Sequence, residues 1–181
     1  MARGASPAFE ALCAAPPRVT ARAMLAGKGP AMDSIAGWEF RAWCAPPSLP
    51  SVVLGKHRKG FYALGRGGGA LGGYVIPCRG GGGPGGRWID RLRGPGAARL
   101  AWFLAGPAGG GRYPGAVLLD YGRAGKVPGW SPLAGLREYL VQPWDDDPDV
   151  LVSAIEFRAG SQARHLGTCV LVRDRQGTVG L

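Results

Sequence analysis

The stretch whose reading decides the fold runs from Gly60 to Trp88, GFYALGRGGGALGGYVIPCRGGGGPGGRW. It contains two short apolar runs, each followed by a glycine cluster. The first cluster, Gly65 to Ala70, has the G-x-G-x-x-A spacing of a dinucleotide-binding loop, with an acid, Asp90, at a suitable distance downstream. Such a loop works only where it opens a helix, because the helix N-terminus holds the pyrophosphate. Here Gly72, Gly73, Pro77 and Gly80 to Gly83 fall where that helix would run. Glycine costs about 1 kcal/mol and proline about 3 kcal/mol per helical position. YVIPC is a β-run, so the glycines are read as bends between strands and the nucleotide reading is rejected. AGKVPG likewise lacks the spacing and the Ser/Thr of a P-loop.

The pattern of short runs bracketed by Gly or Pro extends along the chain. WEFRAWC alternates, with Trp38, Phe40 and Ala42 on one face and Glu39, Arg41 and Trp43 on the other. GFYAL, GGYVIPC, RWIDRLR, ARLAWFLA, GAVLLDYG, LREYLVQ, DVLVSAIEF and LGTCVLVRD complete the series. Short, regularly spaced strands without long helices predict a mainly β protein. The expected fold is a single antiparallel up-and-down β-barrel of about eight or nine strands with a short N-terminal helix around Pro7–Ala14. One further helical turn is expected from Ser51 to Gly55.

The chain has 181 residues, 46% of them hydrophobic, enough for one domain with a sizeable core. Its 33 Gly and 16 Pro make it turn-rich. Residues 1–30 read as a flexible tail, 31–175 as the barrel domain and 176–181 as a C-terminal tail. The net charge is +10, with the bases concentrated over residues 56–99, where Asp90 is the single acid. Such a stretch can attract a polyanion. Cys13, Cys44, Cys78 and Cys169 form no metal-type or dense disulfide pattern. No run approaches the ~20 apolar residues of a spanning helix, and Glu10 with Pro16-Pro17 interrupts any signal-peptide core. The expectation is a cytoplasmic protein with reduced cysteines and no transmembrane segment.

The order of the pieces resembles uncharacterised bacterial lipocalin-like (calycin-type) β-barrel proteins over residues 33–174. The resemblance lies in a short lead-in, Gly37-Trp38-Glu39-Phe40 on the first strand, LLDYG on a late strand, and SPLAGLREYLVQPWDDDPDVLVSAIEF around an acidic turn. The Gly-x-Trp-x-Gly form of that family's first strand is not reproduced. The resemblance implies a barrel with a ligand-sized interior, its end closed by Trp38 beneath Arg173. A guanidinium on an indole face gains about 0.5–2 kcal/mol.

No catalytic set emerges. His57 and His165 read as surface loop residues, and Ser51, Ser131 and Ser153 lack a nucleophile elbow. WDDDPD lacks the glycine and terminal Glu of a calcium loop and reads as an acidic turn. No metal or cofactor is expected. Asp120 faces water if Leu119 and Tyr121 face inward; in the other register it is a buried polar anchor. A ligand is expected to meet Tyr74, Trp88, Trp102, Asp120 and Tyr139, with Leu100, Leu118, Val152 and Ile155 nearby. The leading expectation is a non-enzymatic binder of a small apolar ligand inside the barrel. The alternative is a basic surface that binds nucleic acid or another polyanion through residues 56–99, with Phe61, Tyr62, Trp88 and Trp102 as stacking platforms.

Overall fold

The computed structural model describes residues 6–45, 55–65, 70–91, 99–126 and 131–177. Three helices come first: α1 (Pro7–Ala14), α2 (Pro17–Ala26) and the single turn α3 (Met32–Ile35). The strands are β1 (Trp38–Ala45), β2 (Lys56–Ala63), β3 (Leu71–Arg79), β4 (Ile89–Asp90), β5 (Leu100–Pro107), β6 (Val117–Asp120), β7 (Leu136–Val141), β8 (Val150–Ala159) and β9 (Gln162–Gln176). All but β4 form one wall in which each strand pairs antiparallel with the next, and β9 returns to pair with β1. The result is a closed up-and-down barrel of eight strands plus one extra strand, as the run pattern predicts. Of RWIDRLR only Ile89–Asp90 pairs, against Cys78–Arg79. The turn expected at Ser51–Gly55 lies, but for Gly55, outside the described residues.

The glycines of the opening stretch have three uses. The first cluster lies between β2 and β3, which form an antiparallel hairpin from Ala63↔Leu71 to His57↔Pro77. The second, with positive φ at Gly80, Gly82 and Gly83, turns the chain so that β4 can pair back onto β3. Glycines inside the strands give aromatic rings room to lie on the backbone. Gly60 pairs with Tyr74, Gly72 with Tyr62 and Gly73 with Phe103, and a Cβ on each glycine would overlap its partner's ring.

Alternation sets the lumen. Phe40 and Ala42 of β1, Phe61 of β2, Leu71 and Val75 of β3, and Phe103 and Ala105 of β5 face inward, with Leu119, Leu140, Leu151 and Leu171 opposite. The rings of Phe40, Phe61 and Phe103 meet edge-on, with centroids 5.8 and 5.5 Å apart. α3 closes the adjacent barrel end with Ile35, which is fully buried.

Residues 7–26, read from the sequence as part of a tail, hold two helices against the outer wall. α1 starts at a proline under a Ser6 cap whose Oγ accepts from Phe9 N at 3.3 Å. It buries Phe9 and Leu12, and α2 buries Thr20 and Met24. Beneath them lie Tyr139, Val141, Val150, Val152, Val170 and Val172. That is why VLVSAI and TCVLV are apolar on both faces: one lines the lumen and the other supports the helices. Among the described residues no helix is long and apolar enough to cross a membrane.

Candidate functional site

A polar cluster occupies the lumen beyond the phenylalanine rings. Lys59 projects inward from the middle of β2, and Glu138 from the start of β7, on the far side of the wall. The Lys59 ammonium donates to both Glu138 carboxylate oxygens. The Tyr121 hydroxyl donates to Glu138 Oε2 at 3.0 Å, and the Tyr121 ring lies 5.3 Å from that of Phe103. Ser153 Oγ lies beside the carboxylate without a well-aligned hydrogen bond, and His57 faces the lumen next to Lys59 on β2. None of the five is more than 3% exposed. His57 is therefore a barrel-interior residue on a strand, which corrects its expected place on a surface loop.

Burial by itself would raise the Glu138 carboxyl, but the Lys59 ammonium, Ser153 and His57 outweigh it and hold the carboxyl below its ordinary range. Burial drives Lys59 down from its ordinary value, opposed by Glu138. Burial also pushes the Tyr121 phenol well up, reinforced by the neighbouring carboxylate, so it remains a hydrogen-bond donor. The cluster is thus a lysine–carboxylate pair joined by hydrogen bonds, with a phenol donor beside it. Towards the barrel end away from α3, inward-facing Cys44, Ala101, Leu136 and Leu166 are only partly buried.

The structure brings Trp38 and Arg173 together: the guanidinium stands 4.7 Å from the indole centroid and 5.3 Å from that of Phe40. Arg173 also donates to Asp149 Oδ1 at 2.6 Å and to the Ser34 carbonyl of α3 at 2.8 Å. This side chain joins the last strand, the acidic turn and α3 at one barrel end.

The five residues expected to meet a ligand lie on the outer side of the wall. Tyr139 packs beneath the helices. Tyr74 and Trp102 pack with Tyr62 on the outside of β2, β3 and β5, their own centroids 5.7 Å apart. Trp88 donates its indole N–H to the Pro84 carbonyl at 2.9 Å. Asp120 pairs with Arg137 at 3.0 Å, while Leu119 and Tyr121 face inward. Of the nearby residues, Ile155 faces the lumen and Leu118 and Val152 face outward. The side chain of Leu100 is outside the described set. Phe61, expected as a stacking platform, is fully buried in the lumen.

Several bases of residues 56–99 are bound within the protein. Arg58 donates to Asp174 Oδ2 at 2.7 Å and to Asp90. Arg41 shares Asp174, and Arg175 links Asp90 at 2.9 Å to Glu39 at 2.6 Å. Lys56 donates to the carbonyls of Gly80, Gly81 and Arg87 at 3.2–3.3 Å, between the rings of Trp43 and Trp88. The cysteines, expected reduced, include one disulfide, Cys44–Cys169, which joins β1 to β9 where the barrel closes. Their cross-strand pairing puts the two β-carbons within reach although the residues are 125 apart in sequence.

Lys59, Glu138 and Tyr121 escaped the sequence reading as a group because they come from three separate parts of the chain: β2, β7 and the bend that follows β6. The available signal was a charge on the inward-facing parity of each strand: Lys59 shares parity with Phe61, and Glu138 with Leu136 and Leu140. No protein-family model matches the chain, and no curated protein matches its sequence.

Proposed function

We propose that the chain is a lipocalin-like, non-enzymatic barrel that holds one small, largely apolar molecule at the end of its lumen away from α3. Glu138, Lys59 and Tyr121 form the polar anchor of that site. The observation that carries the reading is a buried polar cluster set, among the described residues, next to apolar lumen side chains and bordered on its outer side by partly exposed Cys44, Ala101, Leu136 and Leu166. An apolar pocket with a few placed polar groups is the usual form of a small-molecule site. The packed rings of Phe40, Phe61 and Phe103 restrict the ligand to that end and to a small size. The closure of one barrel end by α3, Trp38 and Arg173 supports the lipocalin-like reading.

Titrating the purified protein with a fluorescent fatty acid is expected to saturate at one molecule per chain. Glu138→Gln is expected to weaken the binding, and Leu166→Trp to block it. No saturable binding, or binding indifferent to both substitutions, overturns the reading.

A polyanion-binding surface is the second reading. It rests on exposed Arg79, Arg87 and Arg91 and on Lys126, whose ammonium lies 3.8 Å from the Trp102 ring centroid. Retention on heparin that falls steeply with added salt supports it; retention indifferent to salt removes it.

A further inference from the structure

We propose that the chain carries a second ligand site, outside the barrel wall, that takes one small aromatic molecule bearing a hydrogen-bond donor, of the indole or phenol class. A cavity of about 130 Å³ lies between the α1–α2 pair and the outer faces of β1 and β9. An apolar cavity of about 150 Å³ takes up benzene, so the space suits a single ring system. Its walls are Leu12, Val170, Ala15, Pro17 and Trp43. Trp43 projects outward from β1 and supplies an aromatic surface. The wall above it is stiff, because Pro16 and Pro17 make the corner between the two helices.

The donor requirement follows from the hydroxyls of Thr20 and Thr168 at the cavity edge. Thr20 donates its single proton to the Pro17 carbonyl at 2.9 Å. The 3.3 Å contact between the two hydroxyls is therefore donated by Thr168 to Thr20. Both protons are then committed, and what remains towards the cavity is acceptor capacity. Cys13, the other polar wall residue, has its thiol pushed up to about 12 by burial and by Glu10, so it presents an uncharged, weakly polar surface. A ligand that brings one N–H or O–H completes the hydrogen bonding; one that brings only acceptors does not.

The test uses indole and toluene as matched probes on the methyl-labelled 181-residue chain, with the Leu12 and Val170 methyl resonances as the readout. Indole is expected to shift both in a saturable way. Thr168→Val is expected to weaken indole about three- to tenfold, the net worth of one neutral hydrogen bond, and to leave toluene unchanged. Thr168→Ser is expected to restore indole. Ala15→Phe fills the cavity from its helix side and is expected to abolish both shifts. Leu166→Trp, at the barrel mouth, is expected to leave indole unaffected, which separates this site from the lumen. The proposal is overturned if indole does not perturb Leu12 and Val170, or if Thr168→Val binds indole as well as the unaltered protein. If Ala15→Phe does not fold, the Thr168→Val and Thr168→Ser comparison decides alone.

Discussion

Lys59 and Glu138 join hands across the lumen, from strands that stand opposite one another in the closed wall. Their attraction offsets the desolvation of two charges only while both are present. Lys59→Met is expected to destabilise the protein by about 3–5 kcal/mol, because it leaves Glu138 as an unpaired buried charge. The double substitution Lys59→Met with Glu138→Leu is expected to recover most of that loss. Urea unfolding of the two single variants and the double measures the coupling, and strict additivity would show that the pair does not interact.

Acid stability follows from the carboxylates whose proton affinity is depressed. Burial tends to raise Asp90, but Arg175 and Arg58 hold it below its ordinary 3.8. Glu138 is held below its ordinary 4.5 by Lys59, Ser153 and His57 against the effect of burial. A group lowered on folding contributes stability above its unfolded value and loses it as pH falls through its folded value. The melting temperature is therefore expected to hold above about pH 4.5 and to drop below it. Asp90→Asn is expected to flatten part of that drop, as thermal melts across the range will show.

Gly60 lies under the fully buried ring of Tyr74, which cannot move aside. Gly60→Ala is expected to cost about 1–3 kcal/mol by overpacking. Gly110→Ala, at an exposed position with open space around it, is expected to change little. In a Tyr74→Leu background the Gly60→Ala penalty should shrink, a comparison that chemical denaturation resolves.

Arg173 acts through its planar fork, which reaches Asp149, the Ser34 carbonyl and the face of Trp38 together. Lysine keeps the charge but not the fork. Arg173→Lys is expected to lose about 1–2 kcal/mol and Arg173→Ala about 2–4 kcal/mol, with hydrogen exchange rising first in α3. Uniform exchange across the molecule would refute a local closing role.

Alkylation counts test the cysteine pairing. Denatured but unreduced protein is expected to take label only on Cys13 and Cys78, and reduced protein on all four cysteines. In the native state Cys78 is expected to stay unlabelled near neutral pH: its thiol is buried and pushed up to about 12, although Arg58 opposes the rise. Cys44→Ala with Cys169→Ala is expected to cost about 2–5 kcal/mol by freeing a long loop in the unfolded chain.

The strands were legible because their signal is local. Alternation in WEFRAWC placed Phe40 and Ala42 on one face, and the structure turns that face to the lumen. Helix-breaking residues after Gly65 excluded a nucleotide loop without any tertiary information. The residues proposed to anchor a ligand were not legible in the same way. Large aromatics were expected to line a pocket, but Tyr74 and Tyr139 take up outer positions: one roofs a glycine and the other lies under the helices. A run apolar on both faces, such as VLVSAI, does not say which face is the lumen.

Parity along each strand and the positions of the bends are properties of neighbouring residues, and the amino-acid order alone determined them: an antiparallel β protein turning at its glycines. Which parity points inward, that Cys44 meets Cys169, that Lys59 finds Glu138, and that residues 7–26 cover the wall were decided only by closure of the barrel. Closure sets register between strands far apart in the chain, and a shift of one residue would exchange every inward side chain for its outward neighbour.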